Sequence, residues 1–180
     1  NVGAPSIAYH ETITNPMEAE FRYVKQTGGK GQFAHTIMRL EPNSGKGFEF
    51  TDIIKGGSIP AEFIPSVRKG IEATLERGIL AGFPIVDVKV VLLDGSFHPV
   101  DSSDMAFRTC ASICFKNAFN KANPILLEPM MKIEINTPDD YIGAITGDFN
   151  RRRGRIESMR RYRKGSQKLN GFVPLKEMFG

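Results

Sequence analysis

The sequence predicts an α+β protein of two domains, 1–122 and 123–180, on three observations. Segments rich in Tyr, Phe, Val, Ile and Thr alternate with segments of helical periodicity. Asn123-Pro124 closes an apolar helical stretch, and a fresh strand–helix–strand–strand pattern begins after it. Charge changes at the same place: residues 1–122 hold 13 Lys+Arg and 13 Asp+Glu, net zero, whereas residues 123–180 hold 11 and 7, net +4. The first domain is expected to contain a βαβ unit. The second reads as a split βαβ unit without its closing strand, which implies a chain truncated at its C-terminal end.

In the first domain, strands are expected over 6–13, 20–25 and 32–41, with a short one at 47–50. Between the second and third lies Gln26-Thr27-Gly28-Gly29-Lys30-Gly31-Gln32. Its glycines suit a hairpin tip with unusual backbone angles. Ile64, Val67, Ile71 and Leu75 form a helical stripe, with Pro65 in the first turn and Gly78 just past the end. Residues 85–93 are near-continuously apolar, as in a buried strand. Asp94-Gly95 is a short hairpin-turn signal. The loop Ser96-Phe97-His98-Pro99-Val100 follows, and any of Asp101, Ser102, Ser103 and Asp104 offers an oxygen to cap the next helix. That helix runs to about Ala122. It is apolar over most of its circumference, and Cys110 and Cys114 read as two reduced, buried thiols.

In the second domain, Met131, Ile133 and Ile135 alternate with polar residues as a half-buried strand. Thr137-Pro138-Asp139-Asp140 has the form of a helix start: cap, proline, then acids in the first turn. Tyr141, Ile142, Ile145 and Phe149 give the apolar stripe, and Gly154 is expected to end the helix. Strands follow near 155–162 and 167–173, and a helix is expected to begin within 174–180.

The hydrophobic share of 41% and charged share of 24% exclude a disordered chain. There is no run of 18 apolar residues for a membrane span, and no secretory leader pattern at the N-terminus. The missing initial Met suggests a cut or processed chain. A phosphate-binding loop is also lacking: Ser44-Gly45-Lys46-Gly47 has neither the upstream glycine nor a following helix. No Cys/His spacing suits zinc. A Ser-His-Asp set is conceivable from Asp94, His98, Asp101, Ser102, Ser103 and Asp104, but sequence neighbours rarely form a triad and these residues have capping work. His98 is either an ordinary turn histidine or an imidazole aimed at phosphates or base edges. The glycine tip is either a bare hairpin or a close-packing RNA contact. The basic excess lies in Arg151, Arg152, Arg153, Arg155, Arg160, Arg161, Arg163, Lys164 and Lys168, which reads as a solvated face or a nucleic-acid contact.

Three stretches carry a specific resemblance that extends over essentially the whole chain: Tyr23–Pro42 (YVKQTGGKGQFAHTIMRLEP), Gly56–Phe107 and Lys121–Met159. They resemble elongation factor G, from its fourth domain through most of its fifth. The resemblance implies a ribosomal-protein-like domain followed by a truncated ferredoxin-like one. It implies a cytoplasmic monomer that binds the ribosome and promotes GTP-dependent movement of tRNA and mRNA. By that likeness, two tip loops enter the small-subunit decoding site: Gln26, Thr27, Gly28, Gly29, Lys30, Gly31 and Gln32, and Asp94, Gly95, Ser96, Phe97 and His98. Arg151, Arg152, Arg153, Arg155, Arg160, Arg161, Arg163 and Lys164 would meet large-subunit rRNA. No catalytic residue, metal or cofactor is expected in this chain; GTP and Mg belong to the resembled factor's missing part. Thr27, Lys30 and Ala34 stand where Ser, Arg and Gly are common in the family, Phe97 where Tyr is, and Pro99 where an acid is. A recycling paralogue, a ribosomal-protection factor and a stand-alone RNA-binding protein are the alternatives. The Gly28–Gln32 match argues against the second, and the net-zero first domain against the third.

Overall fold

The computed structural model describes residues 8–178. They form two compact units, one of His10–Leu127 and one containing Glu128 onward together with Tyr9.

The first unit runs β1 (His10–Ile13), β2 (Met17–Thr27), β3 (Lys30–Pro42), β4 (Glu49–Asp52), α1 (Ile64–Arg77), β5 (Val88–Ser96), α2 (Asp104–Lys121) and β6 (Pro124–Leu127). Its main sheet has the order β2-β3-β5-β4. β4 and β5 are parallel, joined through α1, so the expected βαβ unit is present. The α2 helix fills the core with fully buried Phe107, Phe115 and Phe119 against Met38 and Leu40 of β3. Each such aromatic contributes about 1.5–3 kcal/mol by leaving water. The two helices cross closely: a Cβ on Gly70 would lie 2.3 Å from the Arg108 carbonyl oxygen. Of the four candidate caps, Ser103 is the one used, its Oγ accepting the Ala106 N–H at 3.1 Å. At the other end Asn123 turns left-handed, φ 53°, which closes the helix as a glycine would.

Several expectations are corrected. The first strand is limited to β1; residues 6–7 of the expected 6–13 lie outside the described residues. Asp94-Gly95 is not a turn. β5 continues through it, pairing Asp94 with Ile37 and Gly95 with Thr36, with an irregularity where Met38 pairs Leu92. Gly95 is required because a Cβ there would sit 2.2 Å from His35 O and 2.5 Å from Ile59 Cδ1. β6 was not anticipated. It pairs antiparallel with β1 and lies within the same compact unit, which extends to Leu127.

The second unit runs β7 (Met130–Pro138), α3 (Ile142–Arg151), β8 (Arg155–Arg163) and β9 (Ser166–Pro174), in sheet order β7-β9-β8. Phe149 of α3 packs on Leu169 and Val173, with Ile133, Ile135, Ile142, Ile145 and Ile156 around them. The helix starts later than expected. Pairing with β9 holds β7 extended to Pro138 opposite Ser166, and a single 3-10 turn, Asp139–Tyr141, intervenes. Nor is Gly154 the left-handed residue at its end. Arg153 takes that role at φ 58°, and Gly154 instead admits the Phe149 ring, 2.7 Å from where a Cβ would stand. The segment expected to begin a helix forms a 3-10 turn over Leu175–Met178, and 179–180 lie outside the described residues.

Candidate nucleic-acid interface

The β2–β3 hairpin reaches its turn at Gly28 and Gly29, between the paired residues Thr27 and Lys30. Both glycines have positive φ, 59° and 97°, in open space. Two-residue turns of this kind need such angles to match the twist of the strands. Gly31 has a different reason. A Cβ there would lie 2.7 Å from Asp101 Oδ2, so its absence lets that carboxylate sit against the hairpin.

The segment between β5 and α2 is tied to this hairpin at Phe33. The Phe33 N–H donates to Asp101 O at 2.9 Å. The Ser102 hydroxyl donates to Phe33 O at 2.7 Å and accepts the His98 N–H at 2.9 Å. Phe33 and His98 rings stand 6.4 Å apart, and the Arg22 guanidinium lies 5.7 Å from the Phe33 centroid. Inside the loop, His98 Nδ1 accepts the N–H groups of Val100, at 3.2 Å, and Asp101, at 3.1 Å. The two loops enclose a cleft of about 230 Å³, with Lys30, Gly31 and Gln32 on one side and Val100, Asp101 and Met105 on the other. Val100 and Met105, which line it, and Phe97 of the same segment are exposed apolar side chains. This end of the unit thus offers a cation, amide donors and flat or apolar surface, the groups that meet RNA backbone and unstacked bases.

The predicted tip residues therefore divide. Gln26–Gln32, Phe97 and His98 lie on the two apposed segments. Asp94, Gly95 and Ser96 lie within β5 and hold the sheet. Asp94 accepts the Ser58 hydroxyl at 2.7 Å, which keeps its carboxyl below the usual value, helped by the Gly95 N–H. Ser96 Oγ is 2.7 Å from His35 Nδ1, whose other nitrogen meets Glu20 at 2.6 Å. Asp101 and Ser102, read in the sequence as candidate caps and as members of a conceivable triad, are what join the loops. Their partners lie some seventy residues earlier, where no local pattern points. A hydrolytic triad does not form: the Ser102 hydroxyl is committed to Phe33 O and the Ser103 oxygen to the Ala106 N–H. Cys110 and Cys114 are buried, and burial pushes the Cys114 thiol up to about 11.

The basic stretch of the second unit divides as well. Arg151 and Arg152 both pair with Asp148, and Arg152 also donates to Glu177 O at 2.6 Å. Arg153 bridges Glu128, at 3.0 Å, and Glu177, at 3.2 Å; those hydrogen bonds, Glu128 first, raise its pKa further. These three are largely occupied within the fold. The β8 group is freer. Arg155 lies over Phe172, Arg163 over Tyr162, and Arg161 stands 3.7 Å from Asp139. Arg160 and Lys164 make no ion pair among the described residues. All five are exposed on or beside an edge strand.

Comparison with known proteins decides what this pair of units is. Residues 5–123 match the family described as elongation factor G, domain IV, and residues 125–180 match elongation factor G C-terminus. The chain belongs to the elongation factor G family. A crystal structure of a protein from Thermus thermophilus is similar at TM-score 0.81 and 38% identity, over 98% of this chain and 26% of that one. The chain thus spans about a quarter of that protein's length. In elongation factor G terms, the glycine hairpin and His98 loop belong to the domain IV match, and the β8 arginines to the C-terminal match. Among the described residues no helix is long and apolar enough to cross a membrane, and no cluster of three or more His, Cys, Asp or Glu is arranged to hold a metal ion.

Proposed function

We propose that this chain is the ribosome-contacting part of a translation elongation factor that promotes GTP-dependent movement of tRNA and mRNA. Its first unit inserts the glycine hairpin and the His98 loop into the small-subunit decoding site. Its second unit lays the β8 cations against large-subunit rRNA. GTP and Mg would be handled by the rest of a longer, cytoplasmic, monomeric protein. The observation that carries this reading is the tie at Phe33, which fixes two sequence-distant loops as one tip with Lys30 and His98 exposed. A recycling paralogue is the second reading, because Lys30 and Pro99 depart from the residues common in the family and so do not mark the chain as the translocation factor itself.

The test is His98→Ala in the full-length factor, followed by fast kinetics on one ribosome preparation. Translocation should slow by about tenfold, the worth of one hydrogen bond to a charged or closely packed acceptor. Ribosome-stimulated GTP hydrolysis should fall much less, because it belongs to another domain. Equal loss of both would give His98 a role in folding or general binding, and a wild-type factor that never translocates would favour the recycling paralogue.

A further inference from the structure

The His98 ring is oriented by its own backbone. Pro99 fixes one turn angle and lacks an N–H, and the next two amides, of Val100 and Asp101, point back to Nδ1 at 3.2 and 3.1 Å. A ring nitrogen that accepts two N–H bonds carries no proton. The neutral imidazole then holds its proton on Nε2. Nε2 makes no hydrogen bond among the described residues, and the side chain is 49% exposed. The Asp101 carboxylate stands 3.7 Å from Nδ1, beyond hydrogen-bond distance, and does not compete for that nitrogen. It is instead seated on Gly31.

We propose that His98 is a dedicated hydrogen-bond donor: the turn locks it as the Nε2–H tautomer, aimed outward at an acceptor oxygen of a nucleic acid. This rests on the tip function proposed above. A donor fixed in this way favours phosphate, ribose hydroxyl and carbonyl oxygens and rejects amino groups. Asp101 is the positioning residue. Its amide orients the ring, its carbonyl accepts from Phe33, and its carboxylate contacts the hairpin, so the ring is indexed to both loops.

Two measurements test this. Nitrogen NMR of the 15N-histidine-labelled 180-residue chain at neutral pH should show His98 with a bare Nδ1 and a protonated Nε2. A protonated Nδ1, an imidazolium or an averaged mixture would overturn the proposal. In the full-length factor, His98→Gln places an amide N–H near the Nε2 position, whereas His98→Asn reaches only as far as Nδ1. Gln should retain translocation within about threefold of wild type, and Asn should fall about tenfold, with Ala. Melting temperatures confirm that all three variants fold. If Gln, Asn and Ala fall equally while the NMR shows the Nε2–H tautomer, the donor role fails and the tip reading stands. If none of the three slows translocation, the tip reading itself fails.

Discussion

Glu11 shows how much one residue settles. Its side chain is fully buried, and its two oxygens accept four backbone N–H groups, from Ile79 and Leu80 at 2.8 Å, Ala81 at 2.7 Å and Phe83 at 3.0 Å. The carboxylate thereby satisfies amides of the loop after α1, and with the backbone bonds of Glu11 to Pro84 and Val86 it anchors that loop to the first strand of the unit. Burial by itself raises its pKa, and the four donors more than offset this, so the group lies below its ordinary 4.5. A folded pKa below the unfolded one means stability that is present above pH 4.5 and lost as pH falls through the folded value. Glu11→Gln should cost about 3 kcal/mol or more at pH 7, since the amide leaves donors facing donors. Urea unfolding between pH 7 and pH 3 checks both points: wild type loses stability on the acid side, and the variant starts lower with a flatter profile. A variant as stable as wild type at pH 7 would show the loop to be held by something else. In the sequence Glu11 is one polar residue in a strand, and its partners arrive nearly seventy positions later. Asp101 and Ser102 were hidden for the same reason. The turn glycines Gly28 and Gly29 were legible because a turn writes its needs locally, whereas Gly31 answers to the distant Asp101.

Elements were legible where their signal is periodic. The α1 stripe of Ile64, Val67, Ile71 and Leu75, bracketed by Pro65 and Gly78, lies within the helix Ile64–Arg77 that the structure has. Asp94-Gly95 misled because a local turn preference lost to a non-local ladder: β3 is 13 residues long, and β5 must run on to pair with it. The same competition delayed α3, since β9 captured Thr137 and Pro138 as strand. Two glycines make the distinction measurable. Gly28 occupies φ 59° with nothing within 4 Å of a Cβ, so Gly28→Ala should cost only about 1 kcal/mol of backbone strain. Gly95 has ordinary φ but no room, with His35 O and Ile59 in the way. Gly95→Ala should cost about 3 kcal/mol or more, because a strand must shift to admit the methyl group. Denaturant midpoints of the two variants rank them. A Gly95→Ala variant milder than Gly28→Ala would mean that β5 gives way more easily than its pairing with β3 suggests.

Across the whole molecule, charge is the property that the sequence placed by region and the structure sorts by use. The net +4 of residues 123–180 concentrates after α3. A helix C-terminus attracts cations, and Arg151, Arg152 and Arg153 lie at that end, neutralised by Asp148, Glu128 and Glu177. That accounts for none of the charge on β8. There Arg160 pairs directly across from Lys168. Like charges opposite one another on adjacent strands destabilise a sheet, and among the described residues Lys168 is relieved by Glu134 alone, at 3.0 Å. Folding therefore gains nothing from Arg160, whereas a phosphate partner would offset the repulsion and release counterions on binding. In the full-length factor, Arg160→Glu with Arg163→Glu should weaken ribosome affinity and reduce the slope of log affinity against log salt by about one per lost phosphate contact. Melting temperature should hold or rise, because the first substitution sets a carboxylate opposite Lys168 in place of a like charge. Arg153→Glu is the contrasting variant: it breaks bonds to Glu128 and Glu177 and should lower melting temperature. Titrations at several salt concentrations, run beside thermal melts, separate the two roles. If the double variant keeps both affinity and slope, the β8 arginines are a solvated face and the proposed rRNA role of this stretch is withdrawn.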